Sequence, residues 1–145
     1  MRNNNHAITS ALFAQIQCSL DPAQYHVWRD KPFTLFGREG EKGVRVQPSI
    51  SVFRRYTTTV TAGHPCLLVE CWSPRIHPAK RAMLHQLYLA DCLVEFLDID
   101  AQRNIIMDWR PHNALIGRDF SEPFKLAVLD VNLDLTEFKT VSYKG

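Results

Sequence analysis

The chain has 145 residues, of which 46% are hydrophobic and 22% charged, and its formal net charge is +2. This length suits a single domain, which we expect to span residues 1–145 and to bury a core without disulfide or metal staples. So small a net charge gives no argument for nucleic-acid binding by itself. No apolar run suits a membrane span, and the polar N-terminus does not resemble a signal peptide, so we expect a cytoplasmic protein without membrane contact.

Cysteine spacing argues against a zinc site. The cysteines are Cys18, Cys66, Cys71 and Cys92. None forms a CxxC pair, and three of them lie in apolar runs. Buried free thiols are therefore expected, as is typical of a reducing compartment.

The first half of the chain predicts one helix followed by short strands. Ile8, Leu12 and Ile16 recur at helical spacing, which predicts a helix over residues 6–19, and Asp21-Pro22 ends it. The segments that follow are strands at 25–28, 33–36 and 44–53 (interrupted at Pro48), a charged turn at 37–43, and a loop or irregular strand at 54–63.

The second half begins with the most apolar strand, residues 66–72. Its hydrophobic pattern is nearly continuous, which indicates a central strand covered on both faces. An amphipathic helix follows over 79–90, with Pro78 in its first turn, and then come strands at 93–99 and 104–109 and a final apolar segment at 124–135. This order predicts an α/β fold with a mixed β-sheet flanked by helices, one on each face.

Glu70 is the most informative residue, because it lies inside the predicted central strand. A buried carboxylate is costly unless it binds a metal, pairs with a cation or has a raised pKa. An ion pair with Arg45 or Lys80 would be a purely structural explanation, and a functional site is the other.

The segment around Glu70 resembles a known family. The run from Leu68 to Pro74, LVECWSP, is similar to the V-E-(V)-(L)-S-P signature of the Uma-two family of proposed restriction endonucleases, within the PD-(D/E)xK nuclease superfamily. Weaker similarities lie at Pro48–Val52, at Tyr88, at Val94–Asp98 and at Leu133–Phe138. The resemblance spans residues 6–138 and implies a restriction-endonuclease-like core.

The resemblance also implies a metal site, from which this chain departs. In that superfamily two acids on adjacent strands hold Mg²⁺ and a lysine positions or activates the attacking water, as suits hard oxygen ligands. Glu70 matches one acid, but Ser49 stands at the position of the other, and Leu84 at that of the lysine. A hydroxyl is a much weaker ligand for Mg²⁺ than a carboxylate.

Other residues could compensate for these departures. Lys80 lies one helical turn before Leu84, about 5.4 Å along the axis, and could replace the lysine or simply face solvent. His77, just before the helix, could act as a ligand or base, or be a polar residue at the helix start. Replacement carboxylates could come from Glu39, Glu41 or Asp98, whereas His6 and His85 are expected to be surface residues.

Cationic residues near the predicted site could form a surface for DNA phosphates. They are Arg45, Arg54, Arg55, Arg75, Lys80 and Arg81. Tyr56, Trp72 and Tyr88 could add stacking surfaces, although we expect Trp72 and Tyr88 to belong to the core.

Three functions remain open. The first is a Mg²⁺-dependent DNA endonuclease that uses Glu70, Lys80 and Ser49. The second is a catalytically inactive relative that binds DNA or a protein partner. The third is an assembly subunit, a homodimer for example, in which strands 104–109 and 124–135 are exposed edges that pair between chains.

Overall fold

The computed structural model describes residues 4–35, 43–55, 64–90 and 93–139. Its helices are α1 (Asn5–Ser19) and α2 (Pro78–Leu89), with short 3₁₀ turns at Pro111–Asn113 and Thr136–Phe138. Its strands are β1 (Tyr25–Arg29), β2 (Phe33–Leu35), β3 (Val44–Val46), β4 (Ile50–Arg54), β5 (Leu67–Cys71), β6 (Glu95–Asp100), β7 (Ile105–Arg110), β8 (Ala114–Asp119), β9 (Phe124–Lys125) and β10 (Asn132–Leu133).

Six of these strands form the main sheet, in the order β1-β4-β5-β6-β7-β8. β5 and β6 are parallel and are connected through α2, while the other neighbours are antiparallel. All five residues of β5 are buried. The predicted mixed sheet and its central strand are therefore confirmed.

The two helices cover opposite faces of this sheet. Alternate residues of β5, such as Leu67 and Val69, pack in one cluster with Leu12 of α1, which defines the α1 face. The residues between them, such as Leu68, pack in a second cluster with Tyr88 of α2, which defines the α2 face. Because side chains alternate along a strand, Glu70 belongs to the α2 face.

The segment predicted as one strand over 44–53 is two strands that belong to different sheets. β3 pairs with β2 in a separate two-stranded sheet, whereas β4 joins the main sheet. Pro48 lies between them and has no N–H to continue a ladder, which explains the break.

The main sheet extends one strand further than the sequence predicted. β8 pairs with β7 along all six residues, so the expectation that residues 104–109 form an exposed edge is wrong. Most side chains of β8 are exposed, with Leu115 and Ile116 among them. A strand of this kind lacks the apolar alternation by which strands are identified in a sequence.

The segment 124–135 closes the α1 face rather than offering an edge strand. Within the described ranges β9 and β10 pair with each other and with no other strand, two residues apiece. The apolar side chains of the segment, including Leu126, Val131 and Leu133, are buried in the cluster with α1. The predicted role of this segment as an exposed edge is therefore wrong.

The cysteines follow the prediction in part. Cys66 and Cys71 are buried free thiols, and burial raises the pKa of each to about 11. Cys18 is exposed on α1, contrary to expectation, and Cys92 lies outside the described residues. Within the described part of the chain, no helix has the length and hydrophobicity needed to cross a membrane.

Candidate functional site

Glu70 lies on the α2 face of the central strand and is only 8% exposed. Its Oε1 accepts two hydrogen bonds, one from the backbone N–H of Ser49 (3.2 Å) and one from the hydroxyl of Tyr88 (3.3 Å). Its Oε2 accepts no hydrogen bond from any described residue. The carboxyl group is therefore fixed through one oxygen and has the other available.

Burial sets the protonation of Glu70. Loss of solvent raises its pKa to about 8, although the hydrogen bonds from Tyr88 and Ser49 oppose this change. Asp30 and Asp98 raise the pKa further, because a second negative charge nearby disfavours ionisation. A cation bound at Oε2 would replace a proton near neutral pH.

Ser49 lies directly beside Glu70, immediately before β4. Its backbone N–H bonds to Glu70, and its Oγ accepts a hydrogen bond from the backbone N–H of Cys71 at 3.0 Å. The structure thus brings together the two positions that the family resemblance assigns to the acid pair. An aspartate in place of Ser49 would stand next to Glu70, but a hydroxyl already bonded to Cys71 is a poor metal ligand.

A second carboxylate, Asp98 of β6, is paired in register with Glu70 across the parallel strands. It is also 8% exposed and belongs to the same face of the sheet. The Nε1–H of Trp72 donates to its Oδ1, and the Arg81 guanidinium lies 3.3 Å from the same oxygen. Asp98 is therefore a strongly bonded carboxylate rather than a free replacement for the missing acid.

His85 belongs to the same network and is not a surface residue without partners, as the sequence suggested. Its Nε2 is 3.7 Å from Oδ2 of Asp98. Its ring packs edge-on against Phe96 and Trp109, with centroid distances of 5.5 and 5.3 Å. The second histidine assigned to the surface, His6, is exposed and lies 3.1 Å from Arg29.

The other predicted site residues do not contact Glu70. Lys80 is exposed on α2 and forms no salt bridge with a described residue. His77 caps α2, where its Nδ1 accepts from the backbone N–H of Ala79 at 3.1 Å. Arg45 is exposed on β3, in the separate sheet. The structural ion pair of Glu70 with Arg45 or Lys80 is therefore absent among the described residues.

The predicted cationic surface forms only in part. Arg54 belongs to the α1 face, where it donates to the Val128 carbonyl at 3.4 Å, so it is separated from Glu70 by the sheet. Arg55 and Arg75 are exposed, and Arg81 is partly buried against Trp72. Trp72 and Tyr88 belong to the core as expected, whereas Tyr56, Glu39 and Glu41 lie outside the described residues.

The site residues suit Mg²⁺ only weakly. Glu70 supplies one oxygen of the right chemistry, and Ser49 a hydroxyl already in use. The described ranges contain no group of three or more histidine, cysteine or acidic side chains placed to hold a metal ion. Most of the coordination would therefore have to come from water or from substrate oxygens.

Sequence reasoning missed the network around Asp98. Arg81 and His85 are four residues apart, so on a helix they share a face, and that spacing was the available signal. The prediction of parallel strands flanking α2 also allowed Asp98 to lie beside Glu70. What the sequence lacked was the register, which the structure supplies.

Comparison with known proteins identifies a shared fold. A crystal structure of a proposed nuclease belonging to DUF820, from Anabaena variabilis ATCC 29413, matches with a TM-score of 0.67 and 18% identity over 95% of this chain and 81% of that chain. No family model and no curated protein matches. The chain therefore has a nuclease-like α/β fold, as predicted, while the narrower assignment to the Uma-two family stays a prediction.

Proposed function

We propose that this protein hydrolyses phosphodiester bonds in DNA with the help of Mg²⁺ held at Glu70. The carrying observation is the buried carboxyl group of Glu70, which is fixed through Oε1 while Oε2 has no partner among the described residues. The shared fold of the DUF820 protein, described as a proposed nuclease, supports this reaction class.

Glu70 would be the main protein ligand of the ion, and Ser49 a weak one. Substrate phosphate oxygens and water would complete the coordination, as is common for Mg²⁺. An ion bound there would stabilise charge on the phosphate and help a water molecule lose a proton. Tyr88 and the Ser49 backbone orient the Glu70 carboxyl group for this role.

A second candidate function is a catalytically inactive relative that binds DNA. It is favoured by the Ser49 hydroxyl, which is already bonded to Cys71, and by Lys80, which is exposed and forms no ion pair with the described residues. Such a protein would bind DNA with a strong salt dependence and would not cleave it.

A plasmid-nicking assay with Mg²⁺ or Mn²⁺ tests the first proposal. We expect cleavage by the wild-type protein, none in EDTA, and a loss of at least about 100-fold in Glu70→Gln. That variant keeps an acceptor for Ser49 and Tyr88 but lacks the anionic ligand. Glu122→Gln, a change at an exposed site, is the matched control and should retain full activity.

The outcomes separate the candidate functions. Cleavage by Glu70→Gln at the wild-type rate would show that the reaction uses another site. No cleavage, together with salt-dependent DNA binding, would favour the inactive relative. Absence of both cleavage and binding would direct the search to a protein partner.

A further inference from the structure

We propose that Arg81 is the residue that contacts a DNA phosphate at this site, and that Asp98 positions it. The inference rests on the proposed DNA function, but it concerns binding and does not require cleavage. It assigns the cationic role to Arg81 rather than to Lys80, the nearest lysine in sequence to the position where the family resemblance expects one.

The guanidinium of Arg81 is held in one orientation by two contacts. One of its terminal nitrogens donates to Oδ1 of Asp98 at 3.3 Å, and its carbon lies 5.2 Å from the ring centroid of Trp72. Trp72 itself donates to the same Asp98 oxygen. A side chain held in this way loses less conformational entropy when it binds a ligand.

Arg81 retains donors for a ligand. A guanidinium has five N–H groups in a planar fork, and only one hydrogen bond, to Asp98, is formed with the described residues. The side chain is 40% exposed, so the remaining donors can reach solvent. A phosphate oxygen pair fits such a fork better than it fits a lysine ammonium.

The position of Arg81 relative to Glu70 follows from the sheet. Asp98, which holds Arg81, is directly opposite Glu70 in the β5–β6 pairing, and neighbouring strands are about 4.8 Å apart. Arg81 and the free oxygen of Glu70 therefore border one region of the α2 face. Lys80 is on the same helix, but no described carboxylate holds its ammonium group.

Asp98 has partners besides Arg81, so this pairing leaves N–H groups of Arg81 for a ligand. Asp98 also accepts from the Trp72 N–H and has His85 at 3.7 Å, so Arg81 is one of its three partners among the described residues. When a phosphate binds, Arg81 can keep its bond to Asp98 and use its other N–H groups. Asp98 is then a positioning residue, which acts on the substrate only through Arg81.

The test measures binding of a fluorescein-labelled DNA duplex by anisotropy, in Ca²⁺ and in EDTA, across a range of salt concentrations. We expect Arg81→Gln to weaken binding at least about tenfold, as loss of a charged hydrogen bond does. The magnitude of the slope of log K against log salt should fall by about 1, as expected for the loss of one phosphate contact. Lys80→Gln removes the same charge from the adjacent exposed position and should change both quantities much less.

Two further variants separate contact from structure. Arg81→Lys keeps the charge and should recover part of the salt slope. Arg81→Gln combined with Asp98→Asn leaves no buried unpaired carboxylate, so it keeps the fold, and it should bind DNA as weakly as Arg81→Gln. Thermal unfolding of each variant checks the fold directly.

Several results would overturn the inference. They are wild-type binding by Arg81→Gln, recovery of binding in the double variant, a loss in Lys80→Gln as large as in Arg81→Gln, and failure of the wild type to bind DNA at all. Wild-type binding without cleavage, with the expected loss in Arg81→Gln, would instead refute only the proposed hydrolysis and leave the Arg81 contact standing.

Discussion

At the scale of single residues, the candidate site depends on a carboxyl group that is protonated near neutral pH. Burial dominates the pKa of Glu70, about 8, even though Ser49 and Tyr88 both donate to it. Hydrogen bonds to one oxygen stabilise this residue, and no cationic partner lies among the residues that the structure describes. A glutamine at position 70 therefore closely resembles the protonated glutamate of the folded state, because it is neutral and has the same acceptor oxygen.

We expect the unfolding free energy of Glu70→Gln to lie within about 1 kcal/mol of the wild type at pH 4, below the unfolded-state pKa, whereas Glu70→Ala should lose roughly 2–4 kcal/mol because the Ser49 N–H and the Tyr88 hydroxyl lose their acceptor. The pKa of Glu70 is raised on folding, so the wild type loses stability as pH rises from about 4.5 to 8. Glu70→Gln should therefore become the more stable protein at pH 9. Urea unfolding at pH 4 and pH 9 is the measurement, and equal stability of the alanine and glutamine variants at pH 4 would contradict the prediction.

Ser49 can be changed to test the second metal position. We expect Ser49→Asp to lower the melting temperature in EDTA, since its charge would lie beside Glu70, and to gain a larger stabilisation from Mn²⁺ than the wild type. Thermal unfolding with and without Mn²⁺ is the readout. Ser49→Asn has a similar size and no charge, and an equal response of the two variants to Mn²⁺ would count against a metal site here.

The sequence allowed Glu70 and Ser49 to be paired, but not the contacts that surround them. Glu70 was identifiable because a charge interrupts an apolar strand, and the family resemblance supplied Ser49. Arg81 and His85 carried no such contrast, since charged residues on a helix usually face solvent. Only the β5–β6 register shows that both reach Asp98.

At the scale of elements, α2 is the element that delivers cationic and hydroxyl groups to the α2 face. It begins at Pro78 after His77, whose Nδ1 accepts from Ala79, and its first turn contains no acidic residue. Arg81, His85 and Tyr88 then follow at helical spacing and reach Asp98 or Glu70. The start of the helix therefore sets the placement of the whole row.

The N-cap of α2 can be improved. We expect His77→Asp to raise the unfolding free energy by about 0.5–1 kcal/mol, because a carboxylate accepts the same bond and favours the positive end of the helix. His77→Ala should lower it by about 0.5–2 kcal/mol. Urea unfolding measures both changes. If His77→Ala lost DNA cleavage under conditions in which it is still folded, that result would instead indicate the ligand or base role considered from the sequence.

Elements that bury an apolar face could be predicted from the sequence, whereas an element whose side chains stay exposed could not. α1, β5 and α2 have strong apolar patterns, and their observed bounds differ from the predicted ones by at most one residue at each end. β8 joins the sheet through backbone hydrogen bonds while its side chains stay exposed, so its sequence gives no signal. The division of 44–53 into two sheets likewise depends on pairing partners that lie elsewhere in the chain.

At the scale of the whole molecule, each face of the sheet buries acidic residues in a different way. On the α2 face they are Glu70 and Asp98. On the α1 face Glu95 and Asp108 are both fully buried. Glu95 accepts from the backbone N–H groups of Ala127 and Val128, and thereby fastens the segment after β9 to the sheet.

In this second pair, two arginines lie near one oxygen of Asp108. Arg110 and Arg118 each lie 3.4 Å from Oδ2 of Asp108. Oε2 of Glu95 and Oδ1 of Asp108 have no other partner among the described residues. Burial and the neighbouring Asp108 raise the pKa of Glu95, which favours the protonated form of Glu95 in the folded protein.

The raised pKa of Glu95 makes stability depend on pH, since a group whose folded pKa is raised binds its proton more tightly in the folded state than in the unfolded one. As pH rises above the unfolded pKa of about 4.5, the wild type should lose roughly 1–3 kcal/mol of unfolding free energy through Glu95. Glu95→Gln should show less of this loss, because its amide can donate to Asp108 at every pH. Urea unfolding between pH 5 and 9 is the measurement, with Glu122→Gln as the exposed control. If Glu95→Gln followed the wild-type pH profile, protonation of Glu95 would not be linked to folding in this way.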